Sequence, residues 1–153
     1  GRDADFEWIY YGWDGIEAKR QGKELNTIMV KDLDPALDFY SPVIITSEKH
    51  TKQDKDFVKK FMSATTEGYN FAIKEPKEAA DILIKAVPDV NKDLVQESQK
   101  WLSTKYQDDA KAWGVQKEEI WTNYMNFLYD NKVIKKKIDV KDAFTNEFLP
   151  SEK

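Results

Sequence analysis

Trp8-Ile9-Tyr10-Tyr11-Gly12-Trp13-Asp14-Gly15-Ile16-Glu17 passes from a strand-like run through two glycines to a helix start, and the rest of the chain is read around it. Phe6 to Tyr11 is rich in aromatic and β-branched residues, which pack well on a pleated surface, and predicts a strand. Gly12 and Gly15 punctuate it, and a glycine lets backbone approach a neighbour or a ligand closely. From Asp14 to about Gln21 the pattern predicts a short helix. Asp14 and Glu17 sit in its first turn, where negative charge complements the dipole, and Gly22 follows as the stop. A strand end, a glycine turn and a helix start form a common ligand mouth in α/β folds. Here the mouth carries the faces of Tyr10, Tyr11 and Trp13 beside two carboxylates, a set suited to a flat heterocycle that donates hydrogen bonds. The same residues also fit a purely structural reading, with the aromatics as core and the acids as helix N-terminal charges.

Outward from this stretch, Leu25 to Val30 predicts a second strand, and strand–helix–strand order predicts a βαβ unit with a right-handed crossover. Lys31 to Pro42 reads as a linker bounded by prolines. Val43 to Thr46 reads as a third strand, continuously apolar as when both faces are buried. Helices follow. Asp54 to about Lys74 places Phe57, Val58, Phe61, Met62, Thr65, Tyr69 and Ala72 at three- and four-residue spacing, one expected buried stripe. Pro76 opens the next helix at its first position, with Ala79, Ala80, Ile82, Leu83 and Ala86 expected inward and Pro88 ending it. Asn91 predicts a capped helix to about Lys105, with Leu94, Val95, Trp101 and Leu102 inward. Lys117 to Tyr129 predicts another, with Ile120, Trp121, Tyr124, Met125 and Leu128 on one side. Asp139 caps a last short helix, and Thr145 to Pro150 reads as an extended tail. Three strands are few for a sheet, so its completion is expected from residues outside this chain.

Composition narrows the function. The chain has 153 residues and a formal net charge of −4, which argues against nucleic acid as a partner. It has no cysteine and a single histidine, His50, in a polar run read as an exposed loop. Thiol catalysis, disulfides, Cys-ligated zinc and His-based metal clusters are thereby excluded. The sequence holds no apolar run of about 18 residues that would span a bilayer. The opening Gly1 to Asp5 lacks the apolar core of a signal peptide. No cofactor, metal site or catalytic residue is expected. Lys135-Lys136-Lys137 reads as a solvated turn.

Four segments, taken in order, carry a resemblance: Tyr10 to Ala18, Tyr40-Ser41-Pro42-Val43-Ile44-Ile45-Thr46-Ser47-Glu48-Lys49, Gly68-Tyr69-Asn70-Phe71-Ala72-Ile73 with Pro76-Lys77-Glu78-Ala79-Ala80, and Phe144 to Pro150. Together they resemble the NMT1/THI5-like proteins, mostly solute-binding components of ABC importers. The resemblance covers nearly the whole chain and about the second half of a typical member. It implies an α/β fold of the two-lobe, type II periplasmic-binding-protein kind, represented here by a short βαβ piece, one strand and a helix-rich C-terminal portion. Residues 1–37 would end the second lobe, 38–42 would be the return hinge and 43–153 would rejoin the first lobe.

The resemblance further implies a non-enzymatic receptor that closes around a small heterocycle, such as hydroxymethylpyrimidine or its formylamino analogue, in the interlobe cleft. Tyr11, Trp13, Asp14, Glu17 and Tyr40 are the implied ligand-binding residues. Related sequences often read Tyr-Trp-Asn-x-Glu-Gly-Ile-Glu here, so this chain keeps an aromatic and an acid but has Gly12 in place of the Asn. Riboflavin, nitrate and alkanesulfonates are alternative ligands. A pyrimidine synthase of the THI5 kind needs a Cys-containing iron motif that this chain lacks. The implied partner is an ABC permease, and the implied location is extracytoplasmic, as a periplasmic protein or cell-surface lipoprotein. A competing reading is a helical interaction domain whose aromatic mouth docks a protein, and dimerisation through exposed apolar surface is a further expectation.

Overall fold

The computed structural model describes residues 5–151, so the opening Gly1 to Ala4 segment and the last two residues lie outside the described structure. A single π-helical turn, Tyr11–Gly15, leads directly into α1, Ile16–Arg20. The later helices are α2 (Glu48–Gln53), α3 (Lys55–Lys74), α4 (Pro76–Ala86), α5 (Lys92–Leu102) and α6 (Glu118–Asp130), with 3₁₀ turns at Val30–Asp32, Pro35–Leu37 and Val140–Asp142.

Helix boundaries follow local chemistry. Asn91 accepts a hydrogen bond from the Leu94 N–H at 3.1 Å and starts α5. Pro76 begins α4 where its missing N–H costs nothing. Asp139 accepts from the Lys141 N–H at 3.0 Å and holds the last 3₁₀ turn. At the end of α1, Gly22 takes φ +72°, the Gly22 N–H reaches Lys19 O and the Lys23 N–H reaches Ala18 O, which is a Schellman stop.

The predicted strands do not form. Residues 6–10, 25–29 and 43–46 carry no sheet ladder among the described residues, although Tyr10 (φ −94°, ψ 101°) and Met29 (φ −76°, ψ 120°) are extended. The βαβ unit is therefore absent among the described residues. A strand exists only when a second strand takes up its N–H and C=O groups, and side-chain composition cannot supply that partner. Phe6, Trp8, Ile28 and Ile45 stay strongly exposed, as unpaired sheet residues would.

Two compact units account for the chain: residues 1–26 with 68–109, and 27–67 with 110–153. In the first, α5 packs on α4, on α1 and on the π turn. Its interior is Ile16, Ala80, Leu94 and Val95, with Ser98 the buried polar residue among them. Leu94 and Val95 of α5 are buried as the spacing predicted and Trp101 and Leu102 are half-buried, whereas Ile82, Leu83 and Ala86 of α4 are exposed rather than buried. A hydrophobic stripe marks where a helix can be covered, not that it is covered.

In the second unit α6 packs on the Pro35–Leu37 turn and on the Val140–Asp142 turn. Phe39 stacks on Tyr124 with centroids 4.2 Å apart, and Trp121 stacks on Phe144 at 5.7 Å. Phe148 is buried, and Asn146 clasps the Gln116 backbone twice, accepting from its N–H at 3.0 Å and donating to its carbonyl at 2.8 Å. The segment read as an extended tail is therefore a folded turn fastened by Asn146. Helix α2 was also unforeseen. Ser47 accepts from the His50 N–H and starts it, so His50 is exposed on a helix rather than in a loop. On α3, Val58 is buried and Met62, Thr65, Tyr69 and Ala72 are half-buried, but Phe57 and Phe61 are exposed.

Candidate functional site

Four of the five residues singled out in the sequence share one short piece of backbone, the π turn and the start of α1. Its geometry begins at Tyr10. The Tyr10 carbonyl accepts from the N–H groups of Trp13 and Asp14, each at 2.9 Å, and the Asp14 carboxylate reaches back to accept from the Tyr10 N–H at 2.9 Å. This reciprocal clasp fixes the turn and uses one oxygen of Asp14. The side chain remains exposed and retains acceptor capacity, since an ionised carboxylate has about four lone-pair positions.

Tyr11 is half-buried, its ring tilted 49° against Trp101 of α5 at 5.3 Å. Lys105 lies over the Trp101 ring, 5.9 Å from its centroid. Trp13 is 43% exposed, and Tyr10 at the start of the turn is 70% exposed. Glu17 is more occupied. Its Oε1 accepts from Gln21 Nε2 at 2.8 Å, and its buried Oε2 lies 3.5 Å from Arg20 Nε without a hydrogen bond. Arg20 in turn reaches α5, with Nη1 2.8 Å from Glu97 and Nη2 3.4 Å from Asp93. Desolvation works against the charge on Arg20, but the hydrogen bonds and charges of Glu97 and Asp93 outweigh it and raise its pKa.

Gly12 and Gly15 are buried at the base of the turn. A Cβ on Gly12 would lie 2.8 Å from Leu102 Cδ2 and 3.1 Å from Trp101 Cζ3. The departure from the Asn of related sequences thus has a physical counterpart here: α5 side chains occupy the space an Asn would need. The Gly12 carbonyl accepts a hydrogen bond from the buried Ser98 hydroxyl. Neither Ser98 nor Trp101 was foreseen as part of this region. The available signal was the row Leu94, Val95, Ser98, Trp101, Leu102, which puts a lone hydroxyl in an inward apolar stripe.

Tyr40 belongs to the second unit. Its hydroxyl accepts from the Lys117 N–H at 2.9 Å and its ring stands 6.4 Å from Trp121. The space among Phe39, Tyr40, Ile120, Trp121 and Tyr124 is only about 10 Å³, so this cluster is filled by its own rings. A crevice of about 440 Å³ at the α2–α3 junction is lined by the consecutive residues 52–57 and gathers no convergent groups from elsewhere. Among the described residues, no cluster of three or more His, Cys, Asp or Glu is placed to hold a metal ion, and no helix is long and apolar enough to cross a membrane.

The turn and α1 lie inside residues 1–79, the part of the chain matched by the family described as NMT1/THI5 like. The chain belongs to the NMT1/THI5-like family. Two curated relatives are similar to this NMT1/THI5-like chain. One is the riboflavin-binding protein RibY of Chloroflexus aurantiacus, 26% identical over 146 residues that cover 88% of this chain and 39% of the relative. The other is a formylaminopyrimidine-binding protein of Halalkalibacterium halodurans, 24% identical over 108 residues that cover 68% of this chain and 33% of the relative. The NMT1/THI5-like chain therefore spans well under half the length of the curated relatives it matches. Both relatives carry the names of binding proteins.

Proposed function

We propose that the chain is part of a solute-binding component of an ABC importer and takes a small, flat nitrogen heterocycle at the Tyr11–Glu17 turn. The observation that carries this reading is the turn itself. Trp13 and Asp14 are exposed side by side on backbone clamped by the Tyr10–Asp14 exchange of hydrogen bonds. An exposed ring offers a face for stacking, and the unused lone pairs of a carboxylate accept from ring N–H or exocyclic amine groups. The relatives' names supply two ligands of this chemistry, a flavin and an aminopyrimidine. Tyr11 contributes from beside Trp101, and Glu17 contributes charge from behind the turn. The assignment of Tyr40 to the ligand rests on the resemblance alone.

In the same proposal the parent fold is the two-lobe α/β type, with residues 1–37 ending one lobe, 38–42 crossing back and 43–153 completing the other. The receptor is extracytoplasmic, periplasmic or lipid-anchored, and hands its ligand to a permease. Closure of lobes on a ligand needs differential contacts and no chemistry, so no catalytic group is required.

The test is a thermal-shift series on the full-length protein with hydroxymethylpyrimidine, its formylamino analogue, thiamine, riboflavin and taurine. Ligand at about 100 times its dissociation constant adds roughly 2.7 kcal/mol of stability and raises the midpoint. Asp14→Asn keeps an acceptor for the Tyr10 N–H while removing the charge, and is expected to weaken the shift. Trp13→Ala is expected to weaken it too. A shift with a pyrimidine or flavin that both variants reduce supports the site. A shift with taurine alone keeps the receptor and removes the heterocycle, and a full shift in both variants moves the site elsewhere.

A further inference from the structure

Ser98 is 2% exposed, and its hydroxyl donates to the carbonyl of Gly12 across 86 positions of sequence. Among the described residues it is the buried polar one, set in an otherwise apolar interior. A hydroxyl there is costly to bury unless it is satisfied, and here its partner is the carbonyl of the peptide that joins Gly12 to Trp13. The backbone it holds is π-helical, a geometry less favourable than the α-helix and concentrated at functional positions. Gly12 cannot be held by side-chain packing of its own. Leu102 and Trp101 close over it from α5, the helix that also supplies Ser98.

We infer that Ser98 is a positioning residue for ligand binding, setting the orientation of the Tyr11–Asp14 turn through the Gly12 carbonyl. The inference rests on the proposed function of that turn. Without the hydroxyl, the Gly12–Trp13 peptide keeps the Trp13 N–H bond to the Tyr10 carbonyl but loses its tie to α5. Tyr11 and Trp13, on either side of Gly12, are then set less precisely against α5. Ser98 itself touches no ligand. Its contribution is to make the turn ready before the ligand arrives, which lowers the ordering cost of binding.

The experiment measures affinity of the full-length protein for riboflavin and for formylaminopyrimidine, by titration at a temperature well below each variant's own unfolding midpoint. Ser98→Ala removes the donor, and Ser98→Cys keeps a side chain of similar size with a weak donor. Val95→Ala is the control, since it opens the same α5 interior without touching the hydrogen bond. Ser98→Ala is expected to bind about tenfold more weakly, the factor that one buried hydrogen bond is worth. Ser98→Cys should fall between it and the unaltered protein. Val95→Ala should lower the midpoint while staying within about twofold in affinity, because its loss is one of packing. Unchanged affinity in Ser98→Ala overturns the inference and leaves the proposed function standing. Equal weakening in Ser98→Ala and Val95→Ala also overturns it, since general loosening then explains both. Failure of the unaltered protein to bind either probe overturns the ligand reading and this inference with it.

Discussion

Leu102 closes over Gly12: its Cδ2 atom lies 2.8 Å from where a Cβ on Gly12 would stand. Real Cβ atoms do not approach a carbon so closely, so any side chain at position 12 must displace the Leu102 side chain or the helix that carries it. Gly12→Ala is expected to destabilise the first unit by about 1–3 kcal/mol, the usual range for overpacking. Leu102→Ala alone should also destabilise. Combined, the two changes should cost less than their sum, because the smaller residue makes the room the larger one needs. Urea unfolding of the two single variants and the double variant measures this directly, and strict additivity would disprove the contact.

Gly22 makes the opposite kind of demand. No atom lies within 4 Å of a Cβ built there, yet its φ is +72°. Gly22→Ala should therefore cost about 1–2 kcal/mol from backbone conformation alone, with no packing component. Gly22→Asn should cost less, since Asn tolerates the left-handed region. A thermal midpoint that is equal for Ala and Gly at this position would show that the Schellman stop does not hold α1.

Phe148 is 6% exposed although it comes from the segment that reads as an extended tail. Asn146 fastens the start of that turn to the Gln116 backbone, and Phe148 fills the second unit from it. Phe148→Ala should destabilise by about 3–5 kcal/mol, as for other buried aromatic deletions. Val133→Ala, at a residue 66% exposed, should stay within about 0.5 kcal/mol. Denaturant midpoints at constant slope decide between them.

Acid should weaken the second unit through Glu147. The hydrogen bond from Lys55 Nζ at 2.7 Å, and then its charge, hold the Glu147 carboxyl below its ordinary range. Its folded pKa lies below its unfolded one, so its stabilising contribution is complete above the unfolded pKa. It is lost as pH falls through the depressed folded pKa. The pair is exposed, so the effect is small and screened by salt. Glu147→Gln should flatten stability against pH in this acid window and leave it unchanged in slope near neutrality. Asp81, lowered chiefly by its hydrogen bond from Lys77 and further by Gln96, should behave likewise in the first unit.

Legibility differed by range of interaction. Asn91, Pro76, Asp139 and Gly22 act within a few residues of themselves, and each stands where the sequence placed it. His50 shows the limit of reading polarity: Ser47 caps a helix whose residues are almost all polar, so no hydrophobic period announced it. The Tyr11–Glu17 cluster was legible because its members are neighbours on one turn. Tyr40 was not separable from them by sequence, and its engagement with Lys117 appears only across 77 positions.

Local sequence was enough to place α3, α4, α5 and α6 to within a few residues, and to put aromatic rings and carboxylates together at the Tyr11–Glu17 turn. Those outcomes depend on capping, on backbone preference and on 3.6-residue spacing, all of which act locally. Packing in three dimensions selected Leu94, Val95 and Ser98 to be covered and left Phe57, Ile82 and Ile45 exposed. It alone brought Ser98 to Gly12, and it alone left three strand-like segments without ladders. Burial and strand pairing are properties of two surfaces at once, and one segment's sequence specifies only its own.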